Sequence, residues 1–460
     1  MRQVLALCLG VGCAREAPPD PFALPSLEDT NPDPAIVEVS LVAAPGQATL
    51  LDGKPADVWT YRDASSARSE ARIPGPLLDV PVGAHVIVHF TNQLPDPTTI
   101  HWHGLRVPNA ADGTPIAQVP VAPGASFDYA FDATDAGTFW YHPHVAGDVQ
   151  IERGLYGPIV VRGGVEPDVT ADRVLVLDDV KLEATGQLST TTDALDVMLG
   201  RQGNVLLVDG TMNGTIDVAA GGRERWRFIN SANGRYFNLV LPGHTFLVIG
   251  WDGGMLEAPY TADSLLVTPG ERYDVLVDVT EAPGTSLALQ TIHYDRGHGI
   301  PDPGPQPLLT LRVGAKLRDP TPLPTTWATF APIAVDASTP VRQLVLSEEE
   351  QGLVEPRFMI NGKQYPDGPV MTGTSGATEI WEIKNDAEMD HPFHLHGMFF
   401  QVLDVGGVAA VHAGWKDTVN IPQKTTLRFA VRYGGAGRWM YHCHILEHAE
   451  RGMMGELQLR

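Results

Sequence analysis

His442-Cys443-His444-Ile445-Leu446-Glu447-His448 places two histidines beside a cysteine and a third five residues after it, with Met453 ten residues past that cysteine. A thiolate, imidazoles and a thioether at such offsets suit a blue-copper centre, in which Cys and two His bind strongly and Met weakly. In a strand over 438–445 successive side chains alternate, so His442 and His444 share one face and Cys443 takes the other. One short peptide would then join two metal sites. An ordinary strand with surface histidines is the competing reading of a lone His-X-His. Three more His pairs weigh against it: His101 and His103, His142 and His144, and His394 and His396.

The remaining composition sets the bounds. With 460 residues the chain is long enough for two to four domains. Its 47 Gly and 38 Pro favour short strands and many turns, hence an all-β class. A formal net charge of -23 excludes a phosphate-neutralising nucleic-acid binder and fits a soluble exported protein. Of three cysteines, Cys8 and Cys13 fall in the N-terminal leader, which leaves Cys443 alone in the mature domains and no intrachain disulfide. The leader MRQVLALCLGVG is apolar but too short to span a bilayer, and reads as an export signal. Gly12-Cys13 is similar to a lipoprotein processing site, so a membrane anchor at Cys13 and a soluble secreted form are both open. Prolines from Pro18 to Pro34 mark an extended tether, and residues 1–35 are set apart as leader and tether.

From Ile36 the chain repeats itself. PVGAHVIVHFTN (81–92), TIHWHGL (99–105), VAPGASFDYAFD (121–132) and GTFWYHPH (137–144) each read as a strand bounded by turn residues. The same order returns as AGGRERWRFINS (220–231), FNLVLPGH (237–244), VTPGERYDVLVD (267–278) and SLALQTIHY (286–294). It returns again as TEIWEIKND (378–386), HPFHLHG (391–397), NIPQKTTLRFAV (420–431) and GRWMYHCH (437–444). A period of roughly 140 to 155 residues suits three successive β-sandwich domains. Linker-like composition near 165 and 316 gives domains over 36–165, 166–315 and 316–460. GTFWYHPH and GRWMYHCH align residue for residue, with Pro143 opposite Cys443, while the middle copy keeps only His244 and His293. Metal is therefore expected in the third domain and between the first and third, with the second as spacer and wall.

Four motifs in this order, HWHG (101–104), HPH (142–144), HPFHLHG (391–397) and HCHILEHAERGMM (442–454), resemble the multicopper oxidase family, its bacterial laccase-like members most of all. The resemblance implies three consecutive cupredoxin-like Greek-key β-sandwich or barrel domains and four copper ions. By the family pattern His391, Cys443 and His448 hold a type 1 (blue) copper with Met453 as axial ligand, and His101 and His394 hold a type 2 copper. The type 3 pair takes His103, His142 and His444 on one ion and His144, His396 and His442 on the other. Strand parity independently separates His391 from His394 and His396, as it separates Cys443 from its neighbours.

The implied activity couples one-electron oxidation of phenols or aromatic amines to four-electron reduction of dioxygen to water. Cys443, His442 and His444 are the expected electron relay. Asp112, in the DGTP turn, matches an acid that in the family assists near the type 2 copper; a plain turn aspartate is the other reading. Ala449 stands where many relatives place a second acid, with Glu447 and Glu450 nearby. Oxidation of Cu(I), Fe(II) or Mn(II) is the alternative within the enzyme class, although the 11 Met are scattered rather than clustered in an insertion. A non-catalytic copper-binding envelope protein is the alternative outside it, and the filled ligand positions count against that. The expected partners are dioxygen and a small reductant, aromatic or metal-ion, acting on a monomer in the periplasm or cell envelope. His85, His89, His244, His293, His298 and His412 fall outside the motifs and read as structural or solvated.

Overall fold

In a computed structural model, residues 22–51, 53–66, 69–349 and 356–460 are described; the leader and Cys13 lie outside them. The described chain folds as six sheets that pack in three successive pairs, each pair around its own apolar core. The cores are built from alternate strand residues. In His85–Asn92, for example, Val86, Val88 and Phe90 face inward while His85 and His89 face out.

The repeat seen in the motifs is also a repeat of topology. The opening strand of each sandwich pairs in parallel with a later one: Ile36–Leu51 with His85–Asn92, Ala171–Val180 with Arg223–Asn230, and Val341–Glu349 with Thr378–Asn385. The last strand of each also pairs in parallel with an early one, as in Leu78–Pro81 with Gly157–Arg162, Gly214–Ala219 with Gln306–Gly314, and Met371–Gly373 with Met454–Leu459. Each copy therefore closes both of its sheets with a long-range parallel contact. The intervening pairs are antiparallel, and these carry the histidines.

The Pro-rich tether is docked rather than free. Phe22 is buried in the second sandwich's core, and Leu27 N donates to Leu77 O at 2.9 Å, so the tether spans two sandwiches before Ile36. Residues 315–340 contain no strand or helix, and within them Trp327 packs on Ile249 and Leu276 of the second sandwich.

Several histidines outside the motifs have carboxylate partners on the surface. His89 has Nε2 2.8 Å from Glu38 Oε1 and Nδ1 2.8 Å from Asp128 Oδ1. Hydrogen bonds to Glu38 and Asp128 raise its pKa, against a small opposing effect of burial. A raised folded-state pKa stabilises the fold below the unfolded value and loses that contribution as pH rises through the folded one. His89→Ala should therefore lower the thermal midpoint slightly at pH 6 and leave it unchanged at pH 9. An equal loss at both values would assign the effect to packing.

Candidate metal centre

The strand Gly437–Cys443 carries the site. It pairs antiparallel with His391–Leu395 so that Phe393 lies opposite Cys443 and His394 opposite His442. Tyr441 and Cys443 face the core of the third sandwich, beside Phe393 and Met453, while His442 and His444 face the first sandwich. In the first sandwich His101 lies opposite His142 in the same kind of pairing. Rings from the two sandwiches stack directly, His103 on His394 at 3.8 Å and His101 on His396 at 3.9 Å between centroids.

On the core side Cys443 Sγ is 3.4 Å from His391 Nδ1 and 3.9 Å from His448 Nδ1, and the two nitrogens are 3.3 Å apart. All three residues are fully buried. Cys443 Sγ also accepts a hydrogen bond from Ile445 N at 3.3 Å. His448 is fixed from both sides: Nε2 donates to Met198 O at 3.1 Å, and Phe358 stacks on its ring at 3.8 Å. Met453, also fully buried, is tied to the same strand through Cys443 N to Met453 O at 3.0 Å.

On the other side eight imidazoles converge. His101, His142, His394 and His442 donate Nδ1–H to the carbonyls of Asp112, Pro143, Asp417 and Cys443 at 2.7, 2.9, 2.9 and 2.8 Å. These bonds set the tautomer and leave each Nε2 with a bare lone pair. His103 is turned the other way. Its Nε2 faces Thr418 Oγ1 at 3.1 Å and Asp417 Oδ1 at 3.3 Å, while Nδ1 lies 3.4 Å from His142 Nε2. His442 Nε2 is 3.1 Å from His396 Nε2 and 3.4 Å from His144 Nε2. The His444 ring lies 5.0 Å from that of His103 and 5.8 Å from that of His142, and neither of its nitrogens has a protein partner among the described residues.

Burial and mutual repulsion push His103, His142, His396, His442 and His444 well below the usual imidazole range, and His144 to about 3. These six rings are therefore uncharged at neutral pH. With Nδ1 of His442, His396 and His142 and Nε2 of His103 turned to oxygen atoms, the nitrogens that face each other at 3.1 Å (His442 and His396) and 3.4 Å (His142 and His103) carry lone pairs, which repel unless a cation or a proton lies between them. At the other site burial pushes the Cys443 thiol up and His391 down to about 4, which a bound cation reverses for the thiol. Both donor sets thus fit copper: nitrogen with one sulfur at Cys443, and nitrogen alone in the cluster.

The acids fall into two groups. Asp112 is fully buried; its carboxylate is 3.2 Å from His396 Nδ1 and 3.4 Å from His101 Nδ1, and it accepts from Thr114 Oγ1 at 3.0 Å. The next residue, Gly113, has φ +78°, and a Cβ there would lie 1.8 Å from Ile100 O, so only glycine lets this turn close against the His101 strand. Glu447 accepts from Asn233 Nδ2 and Arg201 N, and burial pushes its carboxyl up to about 7. Glu450 reaches to Gly147 N at 2.7 Å, three residues past His144.

Asp417 is absent from the sequence-based set. Burial would raise its carboxyl, yet the bidentate Arg272 guanidinium, at 2.7 and 2.6 Å, and the hydrogen bonds to His103 and His394 hold it well below the carboxylate range. Arg272 comes from the second sandwich, as does Gly270, where a Cβ would lie 2.7 Å from the His444 ring. The middle copy therefore walls the cluster without contributing a histidine to it. No spacing rule marks Asp417, which is placed by the strand Thr418–Ile421 pairing with His391–Leu395.

Comparison with known proteins places this architecture among relatives. Models described as multicopper oxidase match residues 45–165, 173–296 and 335–460. The chain is 32% identical to the multicopper oxidase MmcO of Mycobacterium tuberculosis over 84% of its own length and 81% of that protein's. It is 27% identical to a laccase of Bacillus subtilis, covering 89% and 91% of the two chains. Among solved structures, a multicopper oxidase from Campylobacter jejuni described as a metallo-oxidase superposes with a TM-score of 0.84 at 28% identity, covering 95% and 94% of the two chains. A laccase from Pediococcus acidilactici does so with 0.84 at 30%, covering 96% and 94%. Three matched segments spanning most of the chain, on three sandwiches whose facing strands bring these histidines together, show that it belongs to the multicopper oxidase family.

Proposed function

We propose that the protein oxidises phenolic or aromatic-amine donors one electron at a time and reduces dioxygen to water. One observation carries this reading. The buried Cys443, grouped with His391 and His448, is bonded through the backbone to His442 and His444, which face histidines of the first sandwich. A single-electron site and a multi-electron site are thereby linked by one peptide.

His391, Cys443 and His448, with Met453 as a further weak ligand, would hold the type 1 ion. His101 and His394 would hold the type 2 ion, and His103, His142, His444, His144, His396 and His442 the type 3 pair. Copper bound there supplies reversible one-electron chemistry beside Cys443 and, in the cluster, reduction of dioxygen. The carbonyls of Asp112, Pro143, Asp417 and Cys443 keep four imidazoles in the ligating tautomer. Burial keeps bulk water from the lone pairs, and the Asp112 carboxylate stands where it can pass protons at His101 and His396. An exported, cell-envelope protein, anchored through Cys13 or soluble, and acting as a monomer, completes the proposal; its export is read from the leader MRQVLALCLGVG.

Copper-loaded protein should be blue and should take up oxygen with a phenol such as 2,6-dimethoxyphenol. A blue protein that takes up oxygen only with Cu(I) or Fe(II) would replace the aromatic donor with a metal ion. Cys443→Ser should abolish the blue absorption and phenol oxidation while the other coppers stay bound. His394→Ala should keep a blue band that phenol bleaches and lose oxygen uptake; full turnover in both variants would contradict the assignment. Met453→Leu should keep the blue band and raise its reduction potential. Asp417→Asn should lower copper retention in the cluster or turnover by about 10–100-fold, with the blue absorption unchanged.

A further inference from the structure

On the second sandwich, where Tyr236 and Tyr294 pack against the core of the third, lies a cavity of about 280 Å³ with Arg235, Arg296, His293, Tyr236 and Tyr294 in its wall. That volume suits a single-ring ligand. No Asp or Glu lines it, although the chain has 55 acidic residues against 32 Lys and Arg. The cavity is thus a basic, aromatic recess in an acidic protein.

Its charges are only partly balanced. Arg235 gives Nε to Asp179 Oδ2 at 2.6 Å and Nη2 to Gly203 O at 2.8 Å, and its Nη1 has no protein partner among the described residues. Arg296 is 1% exposed, forms no ion pair among the described residues, and has an unpartnered buried Nη1. Its guanidinium lies 5.0 Å from the Tyr236 ring centroid, and Nη2 donates to Leu199 O. Tyr236 and Tyr294 stack with planes 7° apart. Asp390, on the third-sandwich side of Tyr294, is committed to the Tyr294 hydroxyl at 2.8 Å, Asn420 Nδ2 at 2.7 Å and Gln423 N at 2.9 Å. An uncompensated buried guanidinium is costly, and an anion in the recess would offset that cost.

The recess is connected to both histidines grouped with Cys443. Arg296 O accepts from Asp390 N at 2.8 Å, and Asp390 precedes His391. On the other side Arg296 Nη2 meets Leu199 O, and the adjoining Met198 O accepts from His448 Nε2 at 3.1 Å. Since His448 is fully buried under this carbonyl, a donor need not touch the ring to be coupled to it.

We propose that this recess binds the reducing substrate, and that the substrate is an aromatic donor carrying a carboxylate, held by Arg235 with the Arg296 charge behind it. The assignment rests on the aromatic-donor reading above and narrows it. Ring stacking on Tyr294 or His293 would position the donor, and the two guanidinium groups would select its charge.

The test uses the copper-loaded protein and two matched pairs of probes. Calorimetry compares 4-methoxybenzoate, chosen to bind without being oxidised, with its methyl ester; oxygen uptake compares 4-hydroxy-3-methoxybenzoate with its methyl ester. The acid should bind at least tenfold more tightly than the ester and show the higher kcat/KM, mainly through a lower KM. Arg296→Gln should remove most of both preferences, and Arg296→Lys should restore much of them. Because each preference is a ratio within one preparation, partial misfolding or copper loss cancels. Equal binding of acid and ester by the unaltered protein would overturn the proposal, as would an Arg296→Gln variant that keeps the full preference. If neither phenol is oxidised while the binding preference holds, the aromatic-oxidase reading fails and the anion site stands.

Discussion

Neutral imidazoles buried with their lone pairs facing one another repel unless a cation or a proton lies between them, and the rest of this molecule is arranged to hold them in that position. Four backbone carbonyls hold the Nδ1 protons of His101, His142, His394 and His442 and turn the opposite nitrogens inward. That requires short, straight strands whose side chains alternate reliably, which explains why the histidines lie on or beside His101–His103, Gly137–His142, His391–Leu395 and Gly437–Cys443. The same alternation sends Cys443 to the opposite face, where it joins His391, His448 and Met453 in the apolar core of the third sandwich.

The second sandwich has no cluster histidine, yet much of the surrounding electrostatics depends on it. Arg272 holds Asp417 in place against His103 and His394, and Asp252 approaches the same guanidinium at 3.3 Å. Losing one partner of so buried a pair costs about 3–5 kcal/mol, so the middle unit could not be removed without cost to the junction it walls. On the opposite side the helix Ala194–Leu199, capped by Asp193, brings Met198 O over His448. Gly200, just past that helix, has φ +71°, and a Cβ there would lie 2.4 Å from Ile445. The covering segment therefore approaches the Cys443 strand as closely as its backbone allows.

The elements that could be read in the sequence were those governed by local period and by repetition. Strand parity separated Cys443 from His442 and His444, and the alignment of GTFWYHPH with GRWMYHCH implied that the cluster needs histidines from the first sandwich, which is where the facing rings lie. What was not legible depends on neighbours distant in the chain. Asp417 and Arg272 are 145 residues apart, and Met198 and His448 are 250 apart, with no motif marking either pair. Arg296 lies in a loop whose sequence, YDRGHG, looks like any polar turn, and only folding reveals that its guanidinium is buried without a carboxylate. The docking of Phe22 into the second sandwich was equally silent, since one aromatic residue in a proline-rich stretch has no period.

The proposed oxidase requires metal at the junction of the first and third sandwiches, joined through one strand to a further site at Cys443. Anomalous diffraction at the copper absorption edge, from crystals of copper-loaded protein, tests this most directly. One peak is expected among His391, Cys443 and His448 and three among the eight facing imidazoles. Peaks confined to the Cys443 site, or to carboxylates on the surface, would contradict it.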